Sequence, residues 1–139
     1  MPENPHRISV RVYYEDTDFS GRVYHASYLR FLERGRTEWL RACGFQHNLL
    51  AQTSGLAFAV TKLQVEFVGP AFIDDLLEVV TELSGLRGPV LNFRQVVIRQ
   101  GATLARGTID VVAIKDNRAA RPPREILRVL NMCSRRAQS

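Results

Sequence analysis

An α+β fold, with one long helix lying on a largely antiparallel sheet, follows from three features of this 139-residue chain. Only residues 26–43 carry a long, sustained helical period. Five other stretches alternate apolar and polar side chains, the period of a half-buried strand. Four of the five follow one another after the helix, separated mostly by short breaks at Gly or Pro, which suits antiparallel neighbours rather than crossovers.

Residues 7–14 open the chain with Ile8, Val10, Val12 and Tyr14 on one face and Arg7, Ser9, Arg11 and Tyr13 on the other. Asp16, Asp18, Ser20 and Gly21 then form a loop. In residues 26–43 the apolar face is Tyr28, Phe31, Leu32, Gly35, Trp39, Ala42 and Cys43, while Arg34/Glu38 and Glu38/Arg41 pair on the outer side. Gly44 is expected to end the helix in a left-handed cap, with Phe45 folding back towards Leu40. Gly35, in the middle of the buried face, costs about 1 kcal/mol against Ala, which predicts unusually close packing of the helix on the sheet.

Residues 61–68 form the next strand, with Leu63, Val65 and Phe67 inward, and Gly69-Pro70 ends it. Residues 76–85 alternate with Leu77, Val79, Thr81 and Leu83 inward, and the turn Leu86-Arg87-Gly88-Pro89 leads into residues 90–99. The last strand, 103–115, has a small or branched face of Ala105, Gly107, Ile109, Val111 and Ala113, suited to receiving the helix. Pro122-Pro123 stops the sheet, and residues 124–133 form a short helix with Ile126, Leu127, Leu130 and Met132 apolar. Leu76, Val80, Val90, Val96, Ile98, Val112 and Ile114 lie on the opposite register of the strands. One helix covers one face only, so this apolar surplus predicts a second subunit.

The length suits a single domain, residues 1–139, with its core at about 7–130. Its 19 basic and 14 acidic side chains leave a net charge of +5, all of it within residues 115–139. That basic end, with a tail at 134–139, carries no aromatic side chain, so it lacks the stacking platforms of a nucleic-acid site. The uncharged stretch 42–61 contains Gln46, His47, Asn48, Gln52, Thr53 and Ser54 and is too polar to span a membrane. No secretory signal is visible, and a cytoplasmic location is expected. Cys43 and Cys133 form no C-x-x-C motif, and His6, His25 and His47 have no ligand spacing, so neither a metal nor a cofactor is expected. The motifs of serine hydrolases, P-loop proteins, dinucleotide-binding folds and zinc peptidases are all absent.

Chemistry therefore centres on residues 14–38. A loop with two carboxylates, Asp16 and Asp18, runs through Gly21 into a helix whose first turn has no strong side-chain cap or capping box. Free N–H donors at a helix start suit a carbonyl oxygen that becomes an oxyanion. A carboxylate at Asp18 would face the same space, while either aspartate also serves as an ordinary turn cap.

As a unit, the run Y-x-D-T-D-x-x-G-x-V-Y-H-x-x-Y-x-x-F-x-E-x-x-R-x-E from Tyr14 to Glu38 strongly resembles the YbgC-like branch of the 4-hydroxybenzoyl-CoA thioesterase family. Val65-Glu66-Phe67, Pro70, Asp75, Leu86-Arg87-Gly88 and Arg121-Pro122-Pro123 extend the resemblance. It implies the hotdog fold, a five-stranded antiparallel sheet wrapped around one long central helix, here with a short C-terminal helix. Two subunits then pair their sheets, and dimers associate into tetramers.

The resemblance further implies hydrolysis of a thioester of coenzyme A or acyl carrier protein. Asp18 is then the nucleophile or general base, and the backbone N–H of His25 polarises the carbonyl. The His25 side chain assists, Tyr14, Gly21, Val23, Tyr24 and Glu33 belong to the substrate site, and Arg87 holds nucleotide phosphates. A thiolate leaves readily, its thiol having a pKa near ~8.5, so no separate general acid is required. This chain departs from the family in having Phe19-Ser20 where Ala-Gly or Gly-Gly is frequent, and Gly35 where Ala is frequent; Phe19 is expected to narrow the acyl pocket or to shift substrate preference. An acyl-thioester hydratase or dehydratase, and a non-catalytic acyl-thioester-binding or envelope-associated scaffold, are the alternatives.

Overall fold

The computed structural model describes residues 5–46, 50, 52 and 54–135; His47 and the tail residues 136–139 lie outside them. Strands β1 (His6–Arg11), β2 (Ala57–Phe67), β3 (Leu76–Arg87), β4 (Val90–Arg99) and β5 (Ala102–Lys115) form one antiparallel sheet in the order β1-β3-β4-β5-β2. A two-residue strand, β6 (Arg118–Ala119), adds to β5. Helix α1 (His25–Ala42) lies across the inner face, and helix α2 (Arg124–Arg135) closes one end. This is the hotdog architecture that the resemblance implies.

The inward register of the sheet is the one expected. Ile8 pairs with Val79 and Val10 with Leu77, and Leu77, Val79, Thr81 and Leu83 are all buried. Tyr28, Phe31, Leu32, Gly35 and Trp39 of α1 face them, with Trp39 edge-on to Phe93 at 5.4 Å between ring centres. Gly44 ends the helix with φ +99°, and the Phe45 N–H bonds to the Leu40 carbonyl at 2.9 Å. The Glu38–Arg41 pair forms on the outer side.

Gly35 sets the height of the helix above the sheet. A Cβ at this position would stand 2.7 Å from Thr81 Oγ1, 2.8 Å from Val79 Cγ1 and 2.9 Å from Gln95 Nε2. Gln95, fully buried on β4, donates to the Leu32 carbonyl and to Thr81 Oγ1, both at 2.8 Å, and accepts from Arg36 at 3.0 Å. Helix and sheet are therefore joined by a buried polar network as well as by apolar contact. Burial lowers the pKa of Arg36, opposed by the nearby Glu33 carboxylate.

Several boundaries and faces differ from expectation. β1 stops at Arg11, because Tyr14–Asp16 forms a 3-10 turn in which Asp16 Oδ2 accepts the Tyr13 N–H at 2.9 Å; Tyr14 is exposed as a result. β2 begins at Ala57, four residues before the expected start, with a bulge between Val60 and Lys62. Of its inward set only Val65 packs on the core, while Leu63 and Phe67 are 40% and 47% exposed. The reason is the position of α1, which lies over β1, β3 and β4 and leaves the β2 edge uncovered. The small face of β5 consequently does not receive the helix. The tight contact at Gly107 is with β2, where a Cβ would meet the Gln64 carbonyl at 3.0 Å.

At the other end, α2 buries Leu130 and Cys133, whereas Met132 is exposed. The free Cys133 and Cys43 thiols are hydrogen-bonded neighbours at the end of α1, and burial pushes the Cys43 thiol pKa up. The Ser134 hydroxyl donates to the Leu83 carbonyl at 2.8 Å, so Ser134 belongs to the fold rather than to the tail. Neither helix is long and apolar enough to cross a membrane.

The Gly35 contact predicts that Gly35→Ala destabilises the protein. Overpacking of about 1–3 kcal/mol outweighs the gain of about 1 kcal/mol in helix propensity. Urea unfolding should show a lower midpoint; a midpoint at or above that of the parent chain would refute the argument.

Candidate active site

The loop from Asp16 to Tyr24 is built by backbone bonds that separate its two carboxylates. Asp16 is buried, bonded to the Tyr13 N–H, and faces Arg30 at 3.7 Å. Its carbonyl accepts the Tyr24 N–H at 2.9 Å, which ties the loop to the start of α1. Asp18 stands two residues on, in a tight turn closed by Asp18 N–H to Arg22 O at 2.9 Å and Gly21 N–H to Asp18 O at 3.1 Å. Gly21 has φ +79°, a conformation that costs glycine least. The Asp18 side chain is exposed, and its Oδ1 accepts the Ser20 hydroxyl at 2.6 Å and the Ser20 N–H at 2.8 Å. These two bonds, the hydroxyl first, lower its pKa; a smaller desolvation effect opposes them, and Arg22 adds to the lowering.

Asp18 borders a cavity of about 300 Å³. Arg22, Val23, His25 and Tyr28 line one side, and residues 67–70, at the end of β2 and just beyond, line the other. Helix α1 opens onto this cavity. Tyr24 at its N-cap position makes no side-chain cap, and the His25 and Ala26 N–H groups take no acceptor among the described residues. The His25 ring leans on Tyr24 at 4.3 Å and meets Phe67 edge-on at 6.3 Å. A larger cavity of about 460 Å³ lies between β1 and the outer side of α1. Its wall carries Asp16, already bonded to the Tyr13 N–H, Glu38, paired with Arg41, and Glu15, and the first turn of α1 is not part of it.

The far wall is clamped from several directions. The Val23 N–H bonds to Ala71 O at 2.8 Å, and Arg22 bridges Phe72. Tyr28 receives the Ala71 N–H at 3.1 Å and donates to Gly69 O at 3.4 Å; burial raises its phenol pKa, which keeps the donor protonated. Asp75 Oδ2 accepts from Arg99 at 2.7 Å and from the Phe72 N–H at 2.8 Å, and Arg99 also reaches Pro70 O. Burial raises the Asp75 pKa, but the Arg99 and Phe72 bonds together outweigh it, and the net shift is downward.

Of the residues expected in the site, Asp18, Val23 and His25 line the cavity, Gly21 shapes its loop and Tyr24 supports His25. Three stand apart. Tyr14 is exposed in the 3-10 turn, its carbonyl accepting the Thr17 hydroxyl. Glu33 is about 12 Å further along α1 at 1.5 Å per residue, bonded to Thr37 and bordering a separate small cavity with Arg36. Arg87 ends β3, while Leu76 at its other end adjoins the clamp; eleven strand steps of about 3.3 Å put Arg87 about 36 Å away from that clamp within one chain. Phe19 is fully exposed and does not border the cavity, so it does not narrow it. Sequence reasoning missed Arg22, Tyr28 and the 67–70 wall, although Gly69-Pro70 was legible as a break.

The thioesterase-like superfamily matches residues 12–130. The acyl-CoA thioesterase YbgC of Haemophilus influenzae is 43% identical over 114 residues, 82% of this chain and 84% of that protein. The acyl-CoA thioester hydrolase YbgC of Escherichia coli is 50% identical over 99 residues, 70% of this chain and 72% of that one. Among solved structures, a probable thioesterase from Bartonella henselae superposes with a TM-score of 0.82 at 40% identity, covering 85% of this chain and 98% of the other.

The Asp75–Arg99 clamp has a pH signature. A carboxylate whose folded pKa is depressed stabilises the fold above its unfolded pKa of about 3.9, and that contribution is lost as pH falls through the folded value. Asp75→Asn should therefore lower the urea midpoint at pH 7 and flatten its decline at acid pH. Parallel pH profiles for the variant and the parent chain would show that the clamp contributes nothing.

Proposed function

As the chain belongs to the thioesterase-like superfamily and is an acyl-CoA thioester hydrolase, we propose that its reaction runs in the Asp18 cavity. The observation that carries this reading is the pairing of an exposed, lowered-pKa carboxylate with an uncapped helix start on one cavity. The N–H of His25 binds the thioester oxygen and stabilises the negative charge that develops there. Asp18 acts from the loop side. As a base it takes a proton from water while the water oxygen attacks the carbonyl carbon. The tetrahedral intermediate then expels the coenzyme A thiolate, which recovers that proton. As a nucleophile it would form an acyl-aspartyl anhydride with loss of the thiolate, and water would release the acid.

A second copy of the chain fits the apolar edge. Val60, Leu63, Phe67 and Val68 are each between 40% and 50% exposed along β2 or just beyond it, and β2 is an edge strand. Unpaired, such an edge is an aggregation liability. Pairing through β2 would also bring a neighbour's surface over the open side of the cavity at Phe67. Arg87, remote from Asp18 within one chain, would serve the phosphates of substrate bound in another subunit.

Four outcomes are expected. Asp18→Asn keeps shape but loses charge, and should lower kcat at least ~10²-fold in a thiol-release assay over an acyl-CoA panel, with KM little changed. Asp16→Asn should instead lower the melting temperature, since Asp16 is bonded within the fold. An Asp18→Asn protein at full rate would sink the assignment. Light scattering on the eluted protein should give a dimer or tetramer, against which a stable monomer at micromolar concentration would count. Arg87→Ala should raise KM for acyl-CoA but not for a short thioester lacking the nucleotide; equal effects on both would remove Arg87 from the site.

A further inference from the structure

The geometry points to Ser20 as a positioning residue that commits one oxygen of the Asp18 carboxylate and so selects the other, Oδ2, as the oxygen that acts on the thioester or its water. This inference rests on the reading of Asp18 as the reacting carboxylate. An exposed aspartate ordinarily rotates about its terminal torsion, which interchanges its two oxygens. Here two donors from one residue converge on Oδ1, the hydroxyl at 2.6 Å and the backbone N–H at 2.8 Å. The backbone bond alone would make an ordinary Asx turn, and any residue at position 20 except proline supplies it. The hydroxyl is the addition, and only a Ser- or Thr-like side chain at this position provides it.

The turn that carries Ser20 is itself held at two points, by Asp18 N–H to Arg22 O and by Gly21 N–H to Asp18 O. Both donors are thus fixed relative to the carboxylate before substrate arrives, and ordering Asp18 costs little at the moment of reaction. The charged and titratable groups bordering the same cavity are Arg22, His25 and Tyr28, and the wall from residues 67–70 carries none. Of the influences that lower the Asp18 pKa, the Ser20 hydroxyl is the largest. Its loss therefore raises the pH at which Asp18 protonates, whereas Arg22 and the rest of the cavity stay in place.

The test compares the full chain with Ser20→Ala and Ser20→Thr in a thiol-release assay on an acyl-CoA that the parent enzyme hydrolyses, using a thiol reagent that works at acid pH. Removing one hydrogen bond to a charged, exposed group should lower kcat about fivefold, with KM within about twofold of the parent value. The acid limb of kcat/KM, which reports the free enzyme, should move to higher pH in Ser20→Ala, and Ser20→Thr should restore both rate and limb. A purely structural serine would lower the melting temperature and leave the acid limb where it was. An unmoved acid limb in Ser20→Ala overturns the proposal, as does a rate loss that threonine does not restore. Asp18→Asn, run alongside, separates the two levels. If it is inactive while Ser20→Ala matches the parent, only the Ser20 inference fails; if it keeps full rate, the reading of Asp18 fails and takes this inference with it.

Discussion

The contact between Gly35 and the β3–β4 strands is the constraint on which the rest of the structure depends. Any side chain larger than hydrogen would have to displace Thr81, Val79 and Gln95, which stand within 3 Å of a would-be Cβ. That approach puts the Leu32 carbonyl within reach of Gln95 and the Arg36 guanidinium beside it. Had the helix ridden higher, Gln95 would lose the Leu32 carbonyl and the buried Arg36 its acceptor, at a cost larger than the gain of about 1 kcal/mol from better helix propensity. The glycine and the polar network therefore require each other.

The same placement determines what the N-terminus of α1 can do. Because the helix is seated low over β1, β3 and β4, its first turn meets the segment that follows β2. Val23 is tied to Ala71, Tyr28 to Gly69 and Ala71, and Asp75 with Arg99 holds that segment from behind. The helix start, the Asp18 turn and the 67–70 wall are thus three parts of one rigid frame around the cavity. Catalysis by an oxyanion site gains from this, since donors fixed in advance need not reorganise as charge develops.

Burial sorts two aspartates that look alike in the sequence. Asp16 has its carboxylate inside, bonded to a backbone N–H, and its carbonyl joins the loop to the helix. Asp18 has its carboxylate outside, with one oxygen engaged by Ser20. Spacing alone would put residues 16 and 18 of an extended segment on one side; it is the 3-10 turn holding Asp16 and the separate tight turn holding Asp18 that send one carboxylate inward and the other to the cavity mouth. The uncovered β2 edge comes from the same economy, because a single helix of 18 residues covers three strands of this sheet and leaves the fifth in the order exposed.

Most of the fold and part of the site were legible from residue order alone. Period-two alternation put Leu77, Val79, Thr81 and Leu83 inward, the helical period put Phe31, Leu32 and Trp39 against them, and Gly35 announced the close approach. The loop with Asp18 and Gly21 running into an uncapped helix was equally readable, because turn and cap chemistry is local. Only the tertiary structure decided that Asp16 is buried, that Gln95 and Arg36 share a network, that Cys133 meets Cys43, and that α1 sits over β3 rather than on the small face of β5. It also showed Arg87 and Glu33 to lie away from Asp18 within one chain, and brought Tyr28 and residues 67–70 to it. The reason is physical: periodicity records which way a side chain faces relative to its own element, whereas the distance between elements depends on how their surfaces fit, which no single segment encodes.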